Sequence, residues 1–245
     1  MILHPTPYGK CYIGNQTECF AQALSCIAQG QSQQKSLSIG LAGGSTPQAF
    51  YSWATTHTPA TKILRQKDLL WSTSDERPVP LTSNESNFGT ADRLMLTPLG
   101  IDPQAKCPWP VDRDPLQSAQ IFNQKWQDLR GPQASFGLCF LGMGEDAHTA
   151  SLFPNSPLID ADPSASFAAV ETPLGWRWTV TPAGLSRCRQ IVVMISGTRK
   201  AKTLAAVLRG PFDPRSRPIQ CLKAYSGKVS WLVETEAAEA IRAQE

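Results

Sequence analysis

At 245 residues and 41% hydrophobic content the chain holds material for one large or two modest domains, in proportions ordinary for a soluble globular protein. Its 23 basic and 20 acidic residues leave a formal charge of +3, too small and too dispersed along the chain for a nucleic-acid surface but compatible with a small anionic ligand. The seven cysteines form no C-x-x-C pair and read as reduced thiols. The N-terminus lacks the basic-then-apolar pattern of a signal peptide, and the longest aliphatic run, residues 191–195, cannot span a bilayer. The expectation is a soluble, cytoplasmic protein without membrane association.

Taken in order, residues 17–29 set Phe20, Leu24 and Ile27 on one helical face, with Thr17 as N-cap and Gly30 as the stop. Residues 37–42 then read as a strand running into Gly43-Gly44-Ser45-Thr46-Pro47, followed by a helical pattern through Phe50, Tyr51 and Trp53. Strand, glycine loop and helix form the recipe for an anion site: backbone N–H groups come close, Ser45 and Thr46 add hydroxyls, and Pro47 suits the first helical position. No lysine follows the glycines, so the loop is not a Walker A sequence and points to a phosphate monoester, an ordinary tight turn being the alternative.

Residues 68–71 continue the strand series and end near Asp75-Glu76-Arg77, which is either a solvated turn or a cluster that holds phosphate or hydroxyl groups. A helical pattern with Leu94 and Met95 follows Asn87. Residues 98–115, rich in proline and without periodicity, read as a long surface excursion. Ile121, Phe122, Trp126 and Leu129 then mark an amphipathic helix.

Residues 136–141 form a short apolar run that stops at Gly142 and Gly144, a buried strand emptying into a loop. Glu145, Asp146 and His148 come next, a candidate acid/base group at a strand end. Gly142-Met-Gly-Glu-Asp-Ala147 also fits a dinucleotide fingerprint, but two carboxylates would stand where pyrophosphate docks. Downstream, residues 166–170 and 177–181 are β-like, residues 190–196 form a strongly apolar strand followed by Gly197-Thr-Arg-Lys200, and a helix runs through Leu204 and Leu208 to Gly210-Pro211. A last strand at 228–233 and a terminal helix at 234–240 complete the series. Strands alternating with helices predict a doubly wound, mostly parallel α/β sheet flanked by helices, one domain over 1–245, with Gly43, Asp75, Asp146, His148 and Lys200 on the rim at the carboxyl ends of the strands.

These motifs together resemble those of the glucosamine-6-phosphate isomerase/6-phosphogluconolactonase superfamily, and within it the lactonases. The matching residues are Gly43-Gly-Ser-Thr-Pro47, Asp75-Glu-Arg77 with Ser86-Asn87, Gly142-Met-Gly-Glu-Asp146 with His148-Thr-Ala-Ser-Leu-Phe-Pro154, Arg177-x-Thr179 and Gly197-x-x-Lys200-Ala201. Ser-Leu-Phe-Pro and Arg77 set the chain apart from the deaminases, which carry Asn-Glu-Pro after their Asp-x-His. The resemblance implies a Rossmann-like fold of the deaminase and ribose-5-phosphate isomerase type. It also implies hydrolysis of 6-phospho-D-glucono-1,5-lactone in the oxidative pentose phosphate pathway, by a monomer or weak homodimer, with no cofactor and no metal.

In that reading His148 is the base and Asp146 orients it. Gly43, Gly44, Ser45, Thr46, Asp75, Glu76, Arg77, Asn87, Arg177 and Lys200 would bind substrate, the cations holding phosphate and developing charge. Ala147 stands where the family usually has glycine, so a left-handed backbone there would cost ~1–2 kcal/mol. Two rival functions remain at this stage: a sugar-phosphate deaminase or isomerase with Asp75 as base, and a non-catalytic sugar-phosphate sensor.

Overall fold

The computed structural model describes residues 1–161 and 164–242. Its main sheet has seven strands in the order β1-β2-β10-β9-β6-β3-β4. They are β1 (Ile2–Thr6), β2 (Gly9–Gly14), β3 (Leu37–Leu41), β4 (Leu69–Thr73), β6 (Leu138–Leu141), β9 (Gln190–Ile195) and β10 (Val229–Glu234). All neighbours pair in parallel except the β1–β2 hairpin. A smaller antiparallel sheet, β5-β8-β7, is built from β5 (Asp75–Glu76), β7 (Phe167–Thr172) and β8 (Gly175–Val180). The N-terminal hairpin escapes a reading by apolar periodicity, because Ile2 and Leu3 are exposed while Cys11 and Ile13 are buried.

Side chains along the strands alternate between two cores. Cys139, Leu141, Ile191, Val193, Ile195, Trp231 and Val233 face one; Leu138, Phe140, Val192, Met194 and Leu232 face the other. Parallel strands covered on both faces must be apolar on both, which is why these segments read as unbroken hydrophobic runs. On the second face lie α1 (Gln16–Gln33), α2 (Ser45–Thr56) and α3 (Thr58–Leu64), with α4 (Asn87–Ala91) and a π-helical turn over Asp92–Leu96. On the first lie α5 (Pro115–Arg130), α6 (Pro182–Arg187), α7 (Ala201–Arg209) and α8 (Glu239–Arg242). Helices on both faces of a mostly parallel sheet make the arrangement doubly wound. No helix among the described residues is long and apolar enough to cross a membrane.

Several local expectations are corrected. Helix α1 is capped by Asn15, not Thr17: the Asn15 side chain accepts from the Glu18 N–H at 2.9 Å while Glu18 accepts from the Asn15 N–H at 2.8 Å. It also runs past Gly30, which packs against Leu37. Pro47 is the third residue of α2, still within the turn whose N–H groups lack helical partners. In α5 the buried stripe is Ser118, Ala119, Phe122 and Trp126, whereas Ile121 and Leu129 face outward. The last helix begins at Glu239 rather than at residue 234.

Residues 98–115 are not a surface excursion. Leu99, Ile101, Cys107 and Trp109 are buried, and Trp109 stacks on Phe122 with centroids 3.8 Å apart while its indole N–H donates to the Thr73 carbonyl at 3.0 Å. Irregular backbone without periodicity can still anchor through single large side chains.

Candidate active site

The site gathers where β3, β6 and β9 end, at the carboxyl edge of the sheet. A cavity of about 220 Å³ there is lined by Gly43, Gly44, Ser45 and Thr46 from the β3–α2 loop, Asp75, Arg77 and Asn87, Gly142 to Gly144 and His148, and Ser196 and Lys200. Gly44, the N-cap of α2, has φ of +98°, a conformation L side chains resist, and the first N–H groups of the helix that follows it lack helical partners. Gly43 answers a different demand: a Cβ there would lie 2.0 Å from Asn87 Oδ1. Thr46 Oγ1 and Ser196 Oγ are 2.5 Å apart, joining the glycine loop to the end of β9.

Asp75 and Glu76 form a short strand rather than a loop, registered against Thr179 and Trp178 of β8. Alternation along that strand separates their fates. Asp75 lines the cavity, its Oδ2 accepting from Ser151 Oγ at 2.8 Å and its Oδ1 from Ser74 Oγ at 3.4 Å. Glu76 is fully buried and does not line the cavity. Its carboxylate accepts from the backbone N–H groups of Arg77 (2.9 Å), Asn87 (2.7 Å) and Phe88 (2.7 Å) and from Ser86 Oγ (3.1 Å). Burial pushes the Glu76 carboxyl up, against the downward pull of those three amides. Glu76 is thus the clasp of the segment that carries Arg77 and Asn87, in place of the substrate contact expected from sequence.

Arg77 lies along this segment, donating through Nη1 to the Glu85 carbonyl at 2.9 Å and to Asn87 Oδ1. Asn87 in turn donates to the Asp75 carbonyl at 2.9 Å. Arg177, on β8, does not line the cavity; its Nη1 donates to the Trp176 carbonyl at 2.7 Å. Burial, and then the like charge of Arg77, hold the Arg177 guanidinium below the usual arginine range.

The loop after β6 holds the acid/base pair. His148 Nδ1 lies 2.6 Å from Asp146 Oδ1, and the His148 backbone N–H donates to the same oxygen at 3.1 Å. Phe153 stacks on the imidazole with centroids 4.4 Å apart and planes at 27°. Gly144 permits this fold of the loop, since a Cβ there would lie 2.1 Å from His148 Nδ1. Ala147 has φ of +63°, so the left-handed conformation anticipated for this position is present in a residue that carries a Cβ. Glu145 turns away, its carboxylate 3.4 Å from Arg199 Nε.

Burial raises the Asp146 carboxyl, but the backbone N–H and the charge of His148 outweigh it and hold the group below its ordinary value. A depressed folded-state pKa makes the pairing's contribution present above the unfolded value and lost as pH falls through the folded one. Titration of the Asp146 side chain by carbon-detected NMR is expected to give a midpoint below the ordinary aspartate value of 3.8. A midpoint above it would mean that the contact with His148 is not populated.

Sequence reading missed several residues of the site. Ser74 and Ser196 line the cavity, Ser151 holds Asp75, and Phe153 stacks on His148. The available signal was that Ser74 and Ser196 are polar residues just past the ends of apolar strands, where ligands in such sheets collect.

The family model described as glucosamine-6-phosphate isomerases/6-phosphogluconolactonase matches residues 16–231. A 6-phosphogluconolactonase of Synechocystis is 29% identical over 93% of this chain and 96% of its own length. The human GDH/6PGL endoplasmic bifunctional protein is 30% identical over 81% of this chain, which spans only 26% of that longer protein. The solved 6-phosphogluconolactonase of Trypanosoma brucei superposes with a TM-score of 0.81 at 26% identity, covering 97% of this chain and 99% of its own. With a model match over most of its length and the motif loops meeting in one cavity, the chain belongs to the glucosamine-6-phosphate isomerase/6-phosphogluconolactonase family.

Proposed function

We propose that the chain hydrolyses 6-phospho-D-glucono-1,5-lactone to 6-phospho-D-gluconate, and that His148 activates the attacking water. The observation that carries this reading is the 2.6 Å contact between His148 Nδ1 and Asp146 at the wall of a cavity lined also by Arg77 and Lys200. An ionised carboxylate can only accept, so Nδ1 bears the proton and Nε2 keeps a lone pair. Water attacks the lactone carbonyl carbon and gives its proton to Nε2, leaving a tetrahedral oxyanion beside an imidazolium steadied by Asp146. Collapse breaks the bond from that carbon to the ring oxygen, and the proton on Nε2 passes to the departing oxygen. The acid formed then ionises into solvent.

The N–H groups at the start of α2, with Arg77 and Lys200, would hold the phosphate away from the scissile bond. Binding energy from that remote group positions the ring against His148. An isomerase or deaminase reading would use Asp75 as base, but Asp75 is only 9% exposed and both its carboxylate oxygens already accept hydroxyl hydrogen bonds.

Timed hydrolysis of phosphorylated and unphosphorylated gluconolactone, corrected for the spontaneous reaction, tests the proposal. The phosphorylated lactone is expected to have the higher kcat/KM by about tenfold or more, at least ~1.4 kcal/mol. Arg77→Ala should raise KM for it while scarcely changing turnover of the unphosphorylated compound. Equal kcat/KM for the two lactones in the unmutated protein would overturn the substrate assignment.

A further inference from the structure

A second concave surface lies at the opposite edge of the sheet, where β3, β6 and β9 begin. This cavity, of about 540 Å³, is lined by Lys35, Arg130, Arg187 and Arg189 with the amides of Gln34 and Gln133, and no aspartate or glutamate is among its described lining residues. Asp68 meets the nearby Ser36 through its backbone carbonyl, at 3.1 Å from Ser36 Oγ. The strands separate this cavity from the candidate active site: β3 alone, Leu37–Leu41, spans roughly 16 Å. The two cannot share one small ligand.

Two of the four cations have an ordinary structural explanation. Arg130 and Arg187 lie in the last turns of α5 and α6, where positive charge offsets the helix dipole. Arg130 also donates to Ser36 Oγ at 2.8 Å, and Arg187 to Ser166 Oγ at 2.9 Å. Lys35 and Arg189 have no such role. Each is exposed, lies outside a helix's last turn, and makes no side-chain hydrogen bond or ion pair among the described residues. Four positive side chains drawn from three well-separated chain segments line this one cavity, and burial holds Arg130 below the usual arginine range. A multivalent anion would give Lys35 and Arg189 the partners they lack, and the volume of about 540 Å³ suits a ligand of nucleotide size.

We propose that this cavity is a second anion site that takes a small oligophosphate, the phosphate chain lying among Lys35, Arg189, Arg130 and Arg187. The site is independent of the lactonase reading, since none of these residues lines the cavity around His148.

Isothermal titration calorimetry of the full chain with sodium tripolyphosphate, at low ionic strength, tests it. One tripolyphosphate is expected to bind per chain at this site, with affinity that falls as salt is added. The double variant Lys35→Ala/Arg189→Ala should weaken binding about tenfold or more while leaving lactone hydrolysis unchanged. The substituted side chains are exposed, and a thermal melt matching that of the parent would show the fold intact. Undiminished binding by the double variant, or binding lost instead on Arg77→Ala, would overturn the proposal by placing the anion elsewhere. Tighter binding of single-stranded oligonucleotides than of tripolyphosphate, abolished by the same double variant, would also overturn it, replacing the small ligand with a nucleic acid.

Discussion

Replacing His148 with alanine is expected to lower lactone hydrolysis above the spontaneous rate on the order of 10²–10⁴-fold, with little change in KM. The substitution removes the nitrogen that takes the proton from water and later returns it to the ring oxygen, while the Gly43 to Thr46 loop, Arg77 and Lys200 stay in place around the cavity. Asp146→Asn should reduce the rate as well. Its amide can offer an N–H to Nδ1, which would favour the tautomer with the proton on Nε2, where a lone pair is needed. Unchanged rates in both variants would remove the loop after β6 from the chemistry and leave the 2.6 Å contact as a structural bond.

The largest expected effect on stability falls on a residue outside the cavity. Glu76→Ala would strip the acceptor from three backbone N–H groups and the Ser86 hydroxyl in a place where Glu76 itself is 0% exposed. Buried donors left unpaired cost about 1–3 kcal/mol each, with partial relief from water entry, so a loss on the order of 3–5 kcal/mol is expected. Urea unfolding would measure it, and a loss under about 1 kcal/mol would show that water replaces the carboxylate without penalty. Glu76→Gln, which keeps one acceptor oxygen, should fall between. Because the same clasp sets the backbone of Arg77 and Asn87, Glu76→Ala should also raise KM for a phosphorylated substrate in whatever fraction remains folded.

The contrast between Glu76 and Asp75 shows where sequence reading reached its limit. The doubly wound sheet was legible because strands buried on both faces are mostly apolar, as β6 and residues 191–195 of β9 are throughout and β3 is apart from Ser38 and Gly40. The glycine loop and the Asp146-x-His148 loop were legible because their geometry is local: residues two apart on one turn meet whatever surrounds them. Asp75 and Glu76 differ only in which way a strand points them, and that strand exists only through its pairing with β8, a partner more than a hundred positions away. Trp109 was misplaced because its partners, Phe122 and the Thr73 carbonyl, lie on other elements and no periodicity announces them. The basic cavity beneath the sheet was invisible in sequence, since cations that look dispersed along the chain are brought together by three strands beginning at one edge.

The order of strands also constrains how the chain is made. Strand β2 enters the main sheet beside β10, which itself lies between β2 and β9. The first hairpin therefore emerges from the ribosome long before its neighbour exists. At roughly 5–20 residues per second, β2 waits on the order of ten seconds or more for residues 229–234. Throughout that interval one edge of β2 stands open to the wrong strand, and one edge of β9 joins it once residues 190–195 have been made. Any factor that binds nascent chains should find its longest-lived target there, and folding after synthesis should be limited by insertion of β10 between them.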